Sequence, residues 1–188
     1  MKTQSRHDEM MGLAARALQH FEHQTTDLAP DIMSQPVAAY IDPARYQAER
    51  EGIFKQLPLA LALTLELPSP GDYKAMTVLE TPIILARNQT GEVKCFLNAC
   101  RHRGSRLCDD GCGQARVFSC PYHAWTYDAE GALIGRYGAE TFGEVDPADF
   151  HLTELPCAER CGLIWVTLMP SQSMDIDAKR LYTIPISG

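Results

Sequence analysis

Two cysteines and two histidines stand in a pattern that can hold metal. The first arm is Cys100-Arg-His102, and after residues 103–119 the second is Cys120-Pro-Tyr-His123. Each short arm offers one soft sulfur and one imidazole nitrogen, both transition-metal donors. A structural zinc ion would take all four donors at one tetrahedral point. A 2Fe–2S cluster can instead place both thiolates on one iron and both imidazoles on the other. Mixed arms suit the second arrangement, because each arm then spans both irons and the spacer returns the second arm beside the first. Zinc sites more often pair like donors within an arm. A 2Fe–2S cluster on Cys100, His102, Cys120 and His123 is therefore the expectation, with structural zinc as the non-redox alternative.

Cys100 and Cys120 must then be thiolates, and His102 and His123 neutral imidazoles. Such a cluster moves one electron and has no open iron position for oxygen. Oxygen activation needs a separate iron held by two histidines and a carboxylate. The remaining histidines, His7, His20, His23 and His151, supply no such set. His20 and His23 read as solvated side chains near a helix C-terminus, where positive charge suits the dipole.

The stretch resembles the Rieske domain of the ring-hydroxylating oxygenases, in the N-terminal part of their large (alpha) subunit. Residues beyond the four donors carry the likeness: Arg103-Gly104, Leu107, Phe118, Pro121-Tyr122, Trp125, Tyr127, Gly131 and Leu133. It runs from about Tyr40 to about Leu168, and departs at Ala124, where the family usually has Gly. The resemblance implies a Rieske-type 2Fe–2S centre that takes electrons from a reductase or ferredoxin. It implies that they pass to the mononuclear iron of an oxygenase catalytic domain or subunit. A homo-oligomer is compatible with it. In this reading the family's second domain is missing from the sequence, and residues 169–188 are a tail leading toward it. A free-standing Rieske-type ferredoxin is the alternative, disfavoured by the N-terminal helices and this tail. High-potential relatives carry an extra cysteine in each arm, joined as a disulfide, and a serine hydroxyl near the sulfurs. Here those positions hold Ser105, Tyr122 and Trp125. The second imidazole, His123, is by resemblance the electron exit, ringed by Arg101, Arg103, Tyr122 and Trp125.

The elements that must position this site fall in order along the chain. Residues 5–24 space Met11, Ala14, Leu18 and Phe21 on one helical face. Pro30 and Pro36 mark a linker, so residues 1–40 read as a helical extension. Asp42-Pro43 starts a second helix to about Phe54, with Tyr46, Ile53 and Phe54 inward. The period then changes to two. Strands are expected at 60–66, 73–79, 82–87, 93–98, 116–119, 124–127, 132–134, 151–155 and 163–168, and residues 135–150 read as a surface loop with at most a short helical turn near Pro147. The fold class is mainly β: a small antiparallel Rieske-type β domain over residues 41–168, preceded by N-terminal helices.

Composition adds limits. Net charge is −7, which argues against nucleic-acid binding. No apolar run is long enough to span a bilayer, and Met-Lys-Thr-Gln-Ser is no signal sequence, so a cytoplasmic protein with no membrane partner is expected. Of seven cysteines, two belong to the arms. Cys108 and Cys112 read as loop and core thiols rather than a redox pair, and Cys157 and Cys161 as small buried residues.

Overall fold

The computed structural model describes residues 2–171, with 174 and 176. Most of the tail expected over 169–188 lies outside the described residues. Two compact units divide the chain, residues 1–42 and 43–188. The first contains helix α1 (Lys2–His23) and the short helix α2 (Ala38–Ile41), the latter in the stretch that the prolines mark as linker. Along α1, Met11, Leu18 and Phe21 are exposed.

The second unit begins with α3 (Pro43–Glu49), which widens into one π-helical turn over Arg50–Phe54. Tyr46, Ile53 and Phe54, expected inward, are exposed. The helix is held instead by ion pairs of Arg45 with Glu49, Lys55 with Glu51 and Arg50 with Glu80. A π turn also carries more residues per turn than an α-helix. It therefore rotates Ile53 and Phe54 off the face that α-periodicity assigns them.

Eleven strands follow among the described residues: β1 (Leu59–Leu63), β2 (Asp72–Val78), β3 (Thr81–Arg87), β4 (Val93–Leu97), β5 (Gly111–Gln114), β6 (Val117–Ser119), β7 (Thr126–Asp128), β8 (Leu133–Gly135), β9 (Glu154–Leu155), β10 (Cys157–Arg160) and β11 (Leu163–Val166). They pair antiparallel into three sheets, ordered β1-β11-β10, β5-β2-β3-β4-β9 and β6-β7-β8. The domain is the antiparallel β structure expected from the period-two pattern.

The middle sheet is covered on both faces. Along β3, Ile83 and Leu85 enter one core with Cys95, Leu155, Ile164 and Val166. Ile84 and Ala86 enter a second core with Phe96, Phe118, Trp125 and Tyr127. A strand buried on both sides reads as a continuous apolar run, which Pro82–Ala86 does. The second core contains Cys100 and Cys120. Their side chains are thus rooted in a packed core.

Two strands escaped the sequence pattern. β5 lies in the polar spacer, where alternation is absent, and pairs at the edge of the middle sheet with β2. Gly113 lies under the Tyr73 ring there: an added Cβ would stand 2.9 Å from it and the ring would have to shift. β10 pairs with β11 through a tight turn at Cys161 and Gly162, whose φ values are 55° and 76°. Cys161 is consequently exposed and Cys157 only half-buried, not the buried pair their composition suggests.

Candidate metal centre

The two arms are built alike. In the first, the Cys100 N–H donates to the Ser105 carbonyl at 2.8 Å and the Gly104 N–H to the Cys100 carbonyl at 2.8 Å. In the second, the Cys120 N–H donates to the Trp125 carbonyl at 2.8 Å and the Ala124 N–H to the Cys120 carbonyl at 2.9 Å. Both turns close through a left-handed residue, Gly104 at φ 73° and Ala124 at φ 52°. Ala124 keeps the turn despite its Cβ.

Each arm has its own anchor. β4 delivers the first, and the buried Asn98 fastens the spacer to its end. The Asn98 side chain accepts from the Leu107 N–H at 2.8 Å and donates to the Cys108 carbonyl at 2.8 Å. The second arm is the tip of the β6–β7 hairpin, where Phe118 faces Tyr127 and Ser119 faces Thr126. The Ser119 and Thr126 hydroxyls are 2.9 Å apart.

These turns bring the four predicted donors together. Both thiols are buried and act on each other. Burial pushes the Cys100 thiol up. Burial acts the same way on Cys120, but the His123 and Tyr122 N–H groups and the Cys100 and Ser105 side chains outweigh it, so this thiol falls below its ordinary value. Nearby N–H donors favour the thiolate. The imidazoles of His102 and His123 sit with ring centroids 4.6 Å apart. Burial, then His123 and Arg103, lower the His102 pKa and keep its ring neutral.

The Nδ1 atoms of both histidines are buried and have no hydrogen-bond partner among the described residues. Buried ring nitrogens left unpaired carry a desolvation cost. A metal ion on the open side of each would remove it. Two thiols and two imidazoles are also the donor types that a mixed iron–sulfur centre needs.

Residues 58–142 match the family model of the Rieske [2Fe-2S] domain. This chain carries a Rieske domain. The domain binds a Rieske-type 2Fe–2S cluster and is similar to the N-terminal part of oxygenase large subunits. Chlorobenzene dioxygenase subunit alpha of Cupriavidus sp. (strain PS12) is 36% identical over 127 residues, covering 67% of this chain and 28% of that protein. The glycine betaine monooxygenase oxygenase subunit of Chromohalobacter salexigens is 35% identical over 147 residues, covering 74% of this chain and 32% of that protein. A solved quaternary ammonium Rieske monooxygenase, described for inter-subunit electron transfer, superposes with a TM-score of 0.69 at 28% identity. It covers 78% of this chain and 41% of its own. The chain spans about a third of the length of these two curated relatives. Among the described residues, no helix is long and apolar enough to cross a membrane.

The neighbours of the Rieske site sort into two groups. Arg101, Arg103 and Tyr122 are exposed around the imidazoles. Trp125 is 2% exposed, so it belongs to the core and not to a surface ring. Tyr127, also buried, places its hydroxyl 3.4 Å from the Cys100 sulfur. Cys108 is half-buried and Cys112 exposed, neither in a disulfide. His20 pairs with Asp27 and His23 with the Gln19 carbonyl, as solvated histidines at the end of a helix.

Sequence reasoning missed Asn98, Phe142 and Phe150. A polar residue ending an apolar strand was a signal for the first. Aromatic side chains in an otherwise polar, acidic segment were a signal for the others.

Proposed function

We propose that Cys100 and Cys120 hold one iron of the cluster and His102 and His123 the other. On this reading the domain relays single electrons from a reductase or ferredoxin to the mononuclear iron of an oxygenase catalytic domain or subunit. The observation that carries the assignment is the pair of buried, unpartnered Nδ1 atoms beside two interacting thiols. When bound, the cluster supplies a reversible one-electron centre.

The chain's own residues do the rest. The backbone N–H groups of both arms and the Tyr127 hydroxyl point donors at sulfur, which stabilises added negative charge. Trp125 and the second core exclude water from below. His123, next to the exposed Tyr122, leads outward and serves as the exit. Arg101 and Arg103 flank His102 in the chain and are exposed, where they could meet an acidic partner surface. The likeness to subunits of a dioxygenase and of a monooxygenase supports the relay over a free-standing ferredoxin, with aromatic ring hydroxylation as one activity of the assembled oxygenase. The electron would cross to a neighbouring copy, as the description of the solved monooxygenase suggests for that protein.

Metal analysis of anaerobically purified protein tests the assignment. About two irons and two acid-labile sulfides per chain are expected, with a rhombic mixed-valence EPR signal after dithionite. Cys120→Ser and His123→Ala should each abolish that signal. Zinc at one ion per chain without sulfide, after iron-replete expression, overturns the reading.

A further inference from the structure

The two imidazoles are not equivalent, and residues 135–150 make them so. From sequence this segment is a surface loop with at most a short helical turn near Pro147. In the structure its two 3-10 turns, Ala139–Thr141 and Pro147–Phe150, fold over the second core and insert Phe142 and Phe150. His102 stacks on Trp125, with centroids 5.0 Å apart and planes 10° off parallel. Phe142 closes on the same imidazole edge-on, at 5.1 Å and 89°. Phe142 also meets Trp125 at 5.7 Å, and Phe150 meets Trp125 at 5.4 Å, both near perpendicular. His102 is thus fenced by an indole that is itself braced from two sides. His123 touches His102 and one further ring, the 61% exposed Tyr122.

The backbone around Phe142 suits a cap. Gly138 and Gly143, at φ 65° and 71°, flank the turn. Left-handed residues at both ends let a short segment double back over a site, a conformation that glycine adopts without steric cost. A Cβ at Gly143 would meet nothing within 4 Å, so its glycine answers to conformation and not to space.

We infer that Phe142 is a positioning residue: as an aromatic cap it locks the orientation of the His102 imidazole and keeps water off its face, while His123 is left free to face a partner. This rests on the reading that both histidines are cluster ligands. Edge-to-face contacts are directional, because the positive ring edge seeks the negative face. A cap of this kind holds a ring angle as well as filling volume. Loss of the cap leaves the packed core of Trp125 and Tyr127 in place but lets the imidazole turn and admits water beside it.

Pulsed EPR on dithionite-reduced protein with 15N-labelled histidine reads the two imidazoles separately. The wild type should show two distinct nitrogen couplings. In Phe142→Ala one coupling should shift or broaden and the other hold, and a chelator should remove iron about fivefold faster. That ratio corresponds to the ~1 kcal/mol of one aromatic contact. Phe142→Tyr, which keeps the ring, should restore both readings, and Tyr122→Ala should disturb the other coupling. Couplings and iron loss in Phe142→Ala that superimpose on wild type would overturn the cap. Should Phe142→Ala take up no cluster, Phe142→Leu replaces it under the same criteria. Absence of any nitrogen coupling in the wild type would overturn the ligand reading and the cap with it. Unchanged couplings in the variant, against two clear ones in the wild type, would sink the cap alone.

Discussion

The Tyr127 hydroxyl lies 3.4 Å from the Cys100 sulfur while accepting the Arg101 N–H at 3.1 Å. The N–H occupies the oxygen as acceptor, so the phenol's own hydrogen is free for the sulfur. Burial first, then the neighbouring Cys100 thiol, push the Tyr127 pKa up, so the group stays a donor through the accessible pH range. A donor on sulfur favours the reduced, more negative state. Tyr127→Phe should therefore lower the midpoint potential, by about 40 mV if the bond contributes ~1 kcal/mol to a one-electron couple. All seven cysteines are free, so no disulfide braces the arms. The wild-type value should accordingly lie toward the low end of the Rieske range, about −150 mV rather than about +300 mV. Protein-film voltammetry of the two proteins gives both numbers, and an equal or higher potential in the variant would contradict the donor role.

A second expectation concerns the two matched turns. Gly104 and Ala124 hold the same left-handed position in their arms, at φ 73° and 52°. No atom lies within 4 Å of a Cβ built at Gly104, so a methyl group there costs conformation and nothing else. Gly104→Ala should destabilise by about 1 kcal/mol, and Ala124→Gly should stabilise by about the same. Thermal unfolding of equally iron-loaded samples should move the two midpoints in opposite directions.

How much of this was legible beforehand follows from what each residue answers to. The four donors announce themselves because metal chemistry demands residue type and spacing, and both are linear in sequence. β3 was legible because burial on both faces leaves an unbroken apolar run. β5 was not, because it is an edge strand of Gly, Cys and Gln without apolar alternation, paired to β2 with Tyr73 opposite Gly113. Phe142 was hidden for a different reason. Its partner His102 lies forty residues earlier in the chain, and no local period reports a contact made across a turn. The exposed Ile53 and Phe54 misled because a π turn breaks the periodicity on which the helical-face argument depends.

Acid should reveal a third feature, remote from the cluster. The buried Arg87 donates to both carboxylate oxygens of Glu159, at 3.1 and 3.0 Å, and to the Gly91 carbonyl at 2.6 Å. The Arg87 guanidinium holds the Glu159 carboxyl below the usual range. A lowered carboxyl pKa contributes stability that is present above the unfolded value and is lost as pH falls through the folded one. Glu159→Gln should thus cost about 2 kcal/mol near pH 7, the order of a charge-assisted bond to a buried group. The gap to wild type should close below about pH 4, where glutamate protonates in the unfolded chain. Urea unfolding as a function of pH tests the sign: a gap that widens on acidification would contradict the pairing.

Four of the remaining cysteines give the last prediction. Cys112 and Cys161 are exposed, Cys95 is buried and Cys157 is half-buried. Burial pushes the Cys95 thiol well above its ordinary value, and burial chiefly lifts Cys157 to about 12. Alkylation requires thiolate and access together. At neutral pH iodoacetamide should mark Cys112 and Cys161 first and leave Cys95 and Cys157 unmarked, with Cys100 and Cys120 protected while iron is bound. Between neutrality and its pKa, the thiolate fraction of Cys157 rises about tenfold per pH unit, so its labelling rate should climb at that slope while the fold persists. Peptide mapping by mass spectrometry after timed quenching resolves each site. Early labelling of Cys157 at neutral pH would show that the β10–β11 hairpin opens in solution and that its packing against the middle sheet is weaker than the buried contacts of Ile164 and Val166 imply.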